Sequence, residues 1–374
     1  MLKGIRIRIY PNKNQKNLIS NTFGCCRLVY NKGLAMRKDA YEISKESIGY
    51  KETSSMLTAL KKEEEFAFLK TVDSIALQQS LRDLDKAYQN FFRTKEGYPK
   101  FKSKKNPHNS YRTQNVSNSI CVTLDGKHIK LPKLGYVKAK VSYDLHSAKI
   151  NNATIERTPS NKYFVVLNID IPVCSKVNAG GLVGLDLGIK DLVITSNYQK
   201  YQNEKIIEKY EKRIKQKQRR LAKKEKGSHN YYKLKKIIAR IYKKIKNARK
   251  YLIHHITKDI TDNNDIIACE TLKVKKMVKN HHLAKSLTDA LFSEIVRQLE
   301  YKTKWKGKKI YTIATYYPSS QICSHCGYKN PLLKNLSIRE YTCPNCQYEL
   351  DRDYNASVNI MFEGLKLYMN EIRA

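Results

Sequence analysis

Three short segments decide the fold of this chain: GLDLGIK (184–190), DIIACE (265–270) and LDRDYN (350–355). Each places one carboxylate at or just beyond an apolar run typical of a buried strand, and these are Asp186, Glu270 and Asp353. One such carboxylate is usually a hydrogen-bonded structural residue. Three on one sheet would repel each other and need cations, and Mg²⁺ prefers hard oxygen ligands. The pattern therefore predicts a site for two Mg²⁺ ions that can hydrolyse a phosphodiester bond.

Four cysteines in two CxxC pairs stand between the second and third segments: Cys323, Cys326, Cys343 and Cys346. The pairs lie 16 residues apart, which is the spacing of a zinc ribbon over 317–350. Four thiolates form a closed tetrahedral site, so we expect one structural Zn²⁺ and no catalytic role for it. Two disulfides are the alternative, which a reducing compartment disfavours.

The composition indicates the kind of partner. The 374 residues include 72 Lys and Arg against 34 Asp and Glu, a formal net charge of +38. Such a surplus points to a polyanion, most often nucleic acid, although an AT-rich genome also produces Lys-rich proteins. An anionic membrane is the rival partner, but the sequence has no run of about 18 apolar residues. It also lacks a signal-peptide h-region, so we expect a cytoplasmic, nucleoid-associated protein without a membrane partner.

The N-terminal half mixes helical and strand patterns. Residues 4–10 alternate apolar and basic side chains as a strand does, and 72–93 carry one apolar helical stripe. A Pro- and Lys-rich loop is predicted for 97–113. Five short strand-like pieces follow within 118–172, which predicts a small antiparallel barrel or sandwich.

Residues 201–250 contain 20 Lys or Arg and only 4 Glu. Their second part keeps an apolar heptad whose members are Leu234, Ile238, Ile241, Ile245, Ala248 and Leu252. GSHN (227–230) interrupts the pattern, so we predict a helical hairpin with a basic outer surface. A solvated coiled coil is the alternative, but a net charge of +16 over fifty residues favours contact with phosphates.

The remaining pattern completes a sheet domain. After the DIIACE strand come an amphipathic helix at 283–304, a strand at 308–315 and a closing helix after Asp353. A hairpin, a helix, further strands and a closing helix together predict an α/β sheet of ribonuclease H type.

The chain resembles TnpB, a family encoded by insertion sequences and similar to the compact type V CRISPR nucleases. The resemblance runs nearly end to end. The matching stretches are FGCCRLVYN (23–31), GYPKFKSKKNPHNSYRTQNV (97–116), VGLDLGIKDLV (183–193), IIACETL (266–272), EYKTKWKG (300–307), YYPSSQICSHCG (316–327) and YTCPNCQYELDRDYNASVNI (341–360). At Thr271, Tyr354 and Ser357 the sequence departs from the usual residues, and no departure removes a carboxylate.

The resemblance implies an RNA-guided DNA endonuclease with a RuvC-type, ribonuclease H-like site, a structured guide RNA and a target DNA. It carries the catalytic roles onto Asp186, Glu270 and Asp353, with Asp351 as a near alternative to Asp353. It also implies a two-lobed protein, α/β plus α+β. The expected parts are a wedge-like barrel (1–12 and 97–177), a helical recognition lobe inserted in it (13–96) and a nuclease domain (178–374) that includes the basic hairpin (201–260). A monomer is expected. The residues predicted to contact nucleic acid are Lys100, Lys102, Lys104, Lys105, Tyr111, Arg112, Arg219, Arg220, Lys223 and Lys224.

Other functions stay open at this point. A transposition regulator or repressor with a vestigial sheet would bind nucleic acid without cutting, and the intact carboxylates argue against it. An unguided transposase would need its own end-recognition domain, and the sequence shows no helix-turn-helix. A CRISPR-associated effector is also compatible, because the source of the guide is not written in this chain.

Overall fold

The computed structural model of the chain describes residues 1–94, 97–105, 109–142, 145, 148–172, 180–271, 291–335 and 337–373. Two compact units divide at residue 172, and each is described by itself: Met1–Pro172 and Val173–Ala374. Across the described ranges, no helix is both long and apolar enough to cross a lipid bilayer.

The first unit is built on one antiparallel sheet of seven strands. The strands are β1 (Leu2–Tyr10), β2 (Asn109–Gln114), β3 (Cys121–Val122), β4 (His128–Leu131), β5 (Gly135–Lys140), β6 (Lys149–Arg157) and β7 (Tyr163–Asp170). Their order across the sheet is β2-β6-β7-β1-β5-β4-β3. The N-terminal strand is therefore central, with its first residue paired to the end of β7. The strand predicted at 4–10 and the five strands predicted within 118–172 are confirmed, while closure into a barrel stays a prediction.

Helices of the first unit share a core with this sheet. They are α1 (Lys13–Ser44), α2 (Tyr50–Leu60) and α3 (Ser74–Thr94), with a 3₁₀ segment at Glu64–Thr71. One cluster of buried residues includes Ile19 and Phe23 of α1, Leu77 of α3 and Ile155 and Val165 of the sheet. The helix predicted at 72–93 is confirmed, and the finer division into recognition lobe and wedge stays a prediction.

The predicted loop at 97–113 is wrong in its last part, because residues 109–114 form β2 beside β6. The sequence NSYRTQ is polar in composition, but its side chains alternate between the two faces of the strand, and Tyr111 and Thr113 are buried. Tyr111 is only 6% exposed, and its ring packs edge-on against Phe23. The prediction that Tyr111 contacts nucleic acid is therefore wrong, since its ring is a core side chain.

The second unit is built on a mixed sheet of five strands. The strands are β8 (Leu182–Asp186), β9 (Asp191–Thr195), β10 (Lys200–Gln202), β11 (Ile266–Glu270) and β12 (Lys309–Ile313), in the order β10-β9-β8-β11-β12. The first three form an antiparallel meander. The last two run parallel to β8. The hairpin predicted around Gly188, the DIIACE strand and the strand at 308–315 are confirmed.

Helices cover both faces of this sheet. On one face α5 (His229–Asn263) and α6 (Phe292–Trp305) pack against side chains that include Leu185 and Ile267. On the other face α7 (Arg352–Arg373) contacts Ala268 of β11. Strand side chains alternate between faces, so residues 184, 186, 268 and 270 lie on the α7 face. The helix predicted at 283–304 is present from Phe292, and its residues 283–290 lie outside the described part.

The basic hairpin is confirmed as α4 (Ile206–Ala222) followed by α5, with the break at 223–228. Its seam includes Ile206 and Ile214 of α4 and Ile241 and Ile245 of α5. Further along α5, Ile253, Ile256 and Ile260 leave the seam and join the core of the sheet. The hairpin is therefore an extension of a helix that is fixed in the sheet domain.

Candidate active site and nucleic-acid interface

Asp186 and Glu270 stand at the carboxyl ends of two neighbouring parallel strands. Leu185 of β8 is registered with Cys269 of β11, so the next residue of each strand is the carboxylate. Because successive side chains of a strand point to opposite faces of the sheet, both carboxylate side chains lie on the face covered by α7. The predicted convergence of the first two carboxylates therefore follows directly from strand register.

A close approach of α7 brings the third carboxylate to the same place. Gly184 has no room for a side chain, because a Cβ there would lie 2.0 Å from the carbonyl oxygen of Ser357 and 2.5 Å from the backbone nitrogen of Met361. Further along the helix, a Cβ on Gly364 would lie 2.3 Å from the Cβ of Ala268. The helix thus lies nearly on the strand backbones, and Asp353 in its first turn is carried towards Asp186.

The electrostatics indicate that Glu270 and Asp353 both act on Asp186. Burial, then the charge of Glu270 and then that of Asp353 raise the pKa of Asp186 to about 8, against a lowering by Arg352. Burial also raises the pKa of Glu270, which Ser319 partly offsets by donating a hydrogen bond of 2.7 Å to Oε1. A bound cation would relieve the repulsion that the buried Asp186 carboxyl experiences from its two neighbours.

Arg339 supplies positive charge at this site and was not anticipated from the sequence. Its Nη1 contacts both carboxylate oxygens of Asp353, at 3.0 and 2.9 Å. Arg339 lies on the cysteine-rich segment between the two CxxC pairs, where no spacing rule marks it. Ser319 was missed for the same reason, since it follows β12 in an unremarkable polar turn.

Asp351 has a different role from Asp353. Its Oδ1 accepts hydrogen bonds of 2.9 Å from the backbone N–H groups of Asp353 and Tyr354, and its Oδ2 accepts one from Lys200 at 2.7 Å. These contacts make Asp351 the N-terminal cap of α7. Burial alone would raise the pKa of Asp351, but the bonds from Lys200 and Tyr354 outweigh it and lower that pKa.

The four cysteines come together as predicted. The sulfurs of Cys323, Cys326, Cys343 and Cys346 all lie within 4.8 Å of one another. Both CxxC pairs fold alike: the N–H of the first cysteine donates to the carbonyl five residues later, and Gly327 and Gln347 occupy equivalent left-handed positions. Among the residues that the structure describes, the three carboxylates do not form so tight a group.

Side chains of α7 hold the cysteine cluster beside the carboxylates. Asn355 donates to the carbonyl of Ile322 at 2.7 Å and accepts from the N–H of Ser324 at 2.8 Å. Asn359 donates to the carbonyls of Ser319 and Ile322. The helix that carries Asp353 is therefore hydrogen-bonded to the first CxxC turn and to the residue that contacts Glu270.

The predicted nucleic-acid contacts differ in their availability. A groove on α4 is lined by basic residues and one glutamine, namely Lys212, Lys215, Gln216, Arg219, Arg220 and Lys223. Lys224 follows just beyond α4 and is exposed. In the first unit Lys100, Lys102, Lys104 and Lys105 are exposed. Lys102 places its ammonium 3.8 Å from the ring centre of Tyr30, and Arg112 pairs with Asp83 at 2.6 Å.

Three family models match the chain: "Helix-turn-helix domain" over 1–46, "Probable transposase" over 166–281 and "Cas12f1-like, TNB domain" over 292–360. The first of these spans folds here as β1 and the single long helix α1, so its two elements are a strand and a helix.

Curated relatives align along nearly the whole chain. A protein of Streptomyces pristinaespiralis named as a candidate RNA-guided DNA endonuclease is 34% identical over 97% of this chain and 89% of its own length. InsQ of Escherichia coli K12, named in the same way, is 29% identical over 97% of this chain and 92% of its own length. A solved Cas12f1–sgRNA–target DNA complex has the same fold, with a TM-score of 0.60 at 14% identity over 96% of this chain and 98% of that one. From these alignments, the chain belongs to the TnpB family.

Proposed function

We propose that this protein is an RNA-guided DNA endonuclease of an insertion sequence, which cleaves target DNA by metal-assisted hydrolysis next to a short sequence motif. The observation that carries the proposal is the convergence of Asp186, Glu270 and Asp353 from two strand ends and one helix start. The relatives that are named RNA-guided DNA endonucleases support the same activity.

The topology of the second unit supports a RuvC-type, ribonuclease H-like assignment. Its sheet is an antiparallel meander extended by two parallel strands, and its carboxylates stand at the ends of the two central neighbours, β8 and β11. Ligand sites of open α/β sheets commonly lie at the carboxyl ends of strands.

The donor set fits two Mg²⁺ ions. Asp186, Glu270 and Asp353 offer hard oxygens that repel one another, and the Arg339 guanidinium already stands in as a cation on Asp353. When bound, the ions would supply a nucleophilic water and charge neutralisation at the leaving oxygen. Ser319 orients Glu270 through its hydrogen bond. Arg339 holds both oxygens of Asp353, and a bound Mg²⁺ would replace it as their cation.

The four cysteines would hold one structural Zn²⁺, since four thiolates within 4.8 Å suit its tetrahedral preference. Hydrogen bonds from the Asn345 side chain and the Tyr328 N–H lower the pKa of Cys326, which favours the thiolate that binds metal. Through Asn355 the metal would also stabilise the start of α7.

A guide RNA and a target DNA are the proposed partners. Phosphates would contact Arg219, Arg220, Lys223 and Lys224 on the hairpin and Lys100, Lys104 and Lys105 in the first unit. A basic channel can hold an RNA–DNA heteroduplex by its shape, while base pairing supplies the sequence choice.

The test is a cleavage assay on the protein purified with the RNA that it binds, reprogrammed to a defined target. Asp186→Ala, Glu270→Ala and Asp353→Ala should each abolish Mg²⁺-dependent cutting with little loss of guided DNA binding, because affinity comes from phosphate contacts and pairing. Cutting by the Asp186→Ala protein at the wild-type rate would overturn the assignment. Equal cutting of matched and scrambled targets would indicate an unguided nuclease.

A matched pair of isosteric changes separates the two aspartates at the start of α7. Asn caps a helix about as well as Asp, so Asp351→Asn should retain most of the activity. Asp353→Asn should abolish it, because the amide removes the negative charge of the proposed metal ligand. The reverse result would transfer the third ligand role to Asp351.

A further inference from the structure

Two stacked pairs of aromatic rings lie beside the carboxylates. Tyr198, in the turn between β9 and β10, stacks on Tyr354 with ring centres 3.6 Å apart and planes 17° apart. His325, between the first two cysteines, stacks on Tyr348 with ring centres 5.0 Å apart and planes 7° apart. Tyr354 directly follows Asp353 in α7, so the first pair stands at the edge of the candidate active site.

The two pairs are neighbours. Asn355, which follows Tyr354, accepts a hydrogen bond from the N–H of Ser324, which precedes His325. The two stacked pairs therefore lie on adjacent segments, from the β9–β10 turn across the start of α7 to the cysteine cluster. We call the two pairs, made of Tyr198, Tyr354, Tyr348 and His325, the aromatic platform.

Both stacked pairs of the platform are open to solvent. Tyr198 is 65% exposed and Tyr348 is 47% exposed, and His325 is exposed as well. Tyr198 also adopts a left-handed backbone conformation, with φ of 63°, that a bulky residue rarely takes. The turn fixes this geometry, because the N–H of Tyr198 donates to the carbonyl of Thr195 and the N–H of Gln199 donates to the Thr195 hydroxyl. An exposed, conformationally costly ring next to a catalytic centre is better explained by a ligand than by packing.

Charge beside the platform indicates the kind of ligand. Lys200 lies two residues beyond Tyr198 and pairs with Asp351, and Arg339 contacts Asp353, the residue before Tyr354. Flat rings flanked by cations are the two components that bind single-stranded nucleic acid, since bases stack on aromatic side chains and phosphates meet the basic groups. A folded protein partner would need a broader apolar surface than two pairs of rings.

We propose that the aromatic platform stacks bases of the single DNA strand that is being cut, and so holds the scissile phosphate against the three carboxylates. This inference rests on the proposed function and adds the element that positions its substrate. Tyr198 is more exposed than Tyr348 or Tyr354, and it is the residue on which we expect the first base to stack. Because every base has a flat face, the platform would act without regard to target sequence.

The experiment crosses a protein change with a DNA change. Target strands carry single abasic residues at successive positions around the mapped cut, which remove one base and keep every phosphate, and a parallel set of guide RNAs carries single abasic residues in the same way. Single-turnover cleavage rates are measured for the RNA-loaded wild-type protein, Tyr198→Ala and Tyr198→Phe. In the wild type, one abasic position should slow cleavage about tenfold, within the range expected when one stacked base is removed.

Tyr198→Ala should slow cleavage of intact DNA by a similar factor. It should not be slowed further by that abasic position, because a contact between ring and base is lost when either partner is removed. Tyr198→Phe keeps the ring and should behave like the wild type. Tyr136→Ala is the matched control: Tyr136 is 59% exposed on β5, and its replacement should change neither the rate nor the abasic profile. Thermal unfolding checks that Tyr198→Ala is folded, as expected for an exposed turn residue.

Three results would overturn the proposal. The first is an equal abasic penalty in wild type and Tyr198→Ala, which would make ring and base independent. The second is the absence of any sensitive position in the wild type. The third is dependence on abasic positions in the guide RNA instead of the DNA. Absence of cleavage by the wild type on intact matched DNA would instead overturn the proposed function, and this proposal with it.

Discussion

Replacement of Gly184 by alanine should separate cleavage from binding. The added Cβ would lie 2.0 Å from the carbonyl oxygen of Ser357, whereas an ordinary contact begins at 3.4 Å. The start of α7 must therefore move away from β8 by about 1.4 Å. Misplacement of a reacting group by about 1 Å can reduce a rate by roughly 100-fold. We expect that reduction in single-turnover cleavage, because α7 carries Asp353.

The same change should cost only part of the folding stability. Overpacking of a well-packed interface typically costs about 1–3 kcal/mol. In a unit of this size, each kcal/mol lowers Tm by about 2–4 °C. Guided DNA binding should remain near the wild-type value, because it does not depend on the position of Asp353.

Two further variants make the test specific. Gly24→Ala is the matched control, since Gly24 lies inside α1 with nothing within 4 Å of its would-be Cβ. It should leave cleavage unchanged and raise stability slightly, by about 0.5–1 kcal/mol, because alanine is the better helix former. Gly364→Ala should repeat the cleavage defect by clashing with Ala268, and the double variant Ala268→Gly/Gly364→Ala should recover activity because it moves the methyl group across the contact. Wild-type cleavage by Gly184→Ala would refute the reasoning that close helix–strand contact places Asp353.

Three more outcomes follow from the site. Cys343→Ser should lose the bound Zn²⁺ in elemental analysis and reduce cleavage by loosening the start of α7; a fully active preparation without zinc would contradict this. For pH, the folded metal-free protein keeps a proton on Asp186 up to about pH 8, while the unfolded chain releases it near its ordinary pKa of 3.8. The free energy of unfolding should therefore fall as pH rises through that window, and Tm measured from pH 5 to 9 should fall less in Asp186→Asn; parallel Tm curves would argue against a buried, raised carboxyl. The last variant replaces four hairpin cations with alanine: Arg219, Arg220, Lys223 and Lys224. The slope of log affinity against log salt concentration should become shallower by roughly one unit for each phosphate that is no longer neutralised. An unchanged slope would indicate that the hairpin is a solvated coiled coil.

The strands and the positions of the candidate carboxylates were predictable because apolar runs and register are local properties of the sequence. Asp186 and Glu270 each end such a run, and parallel pairing then places them side by side. The basic hairpin was predictable from its heptad, which the seam of Ile241 and Ile245 confirms.

What the sequence did not reveal depends on contacts between distant segments. Arg339 reaches Asp353 because the strand pair β13 (Glu340–Thr342) and β14 (Glu349–Asp351) folds back on itself. No local pattern encodes that contact. The error at Tyr111 has a similar origin: its strand is polar in composition, and only pairing with β6 shows that the ring faces the core. Likewise, the stack of Tyr198 on Tyr354 joins residues 156 positions apart.

The position of α7 also affects when the protein becomes a nuclease during its synthesis. Asp353 follows Glu270 by 83 residues, which a ribosome adds in roughly 4–17 s at about 5–20 residues per second. Throughout that interval the first unit and the basic hairpin have already been translated, while Gly184 and Ala268 still lack the helix that covers them. A nascent or prematurely terminated chain therefore carries most of the basic surface without a complete set of carboxylates. The order of translation would allow such a chain to bind nucleic acid before it is able to cut it.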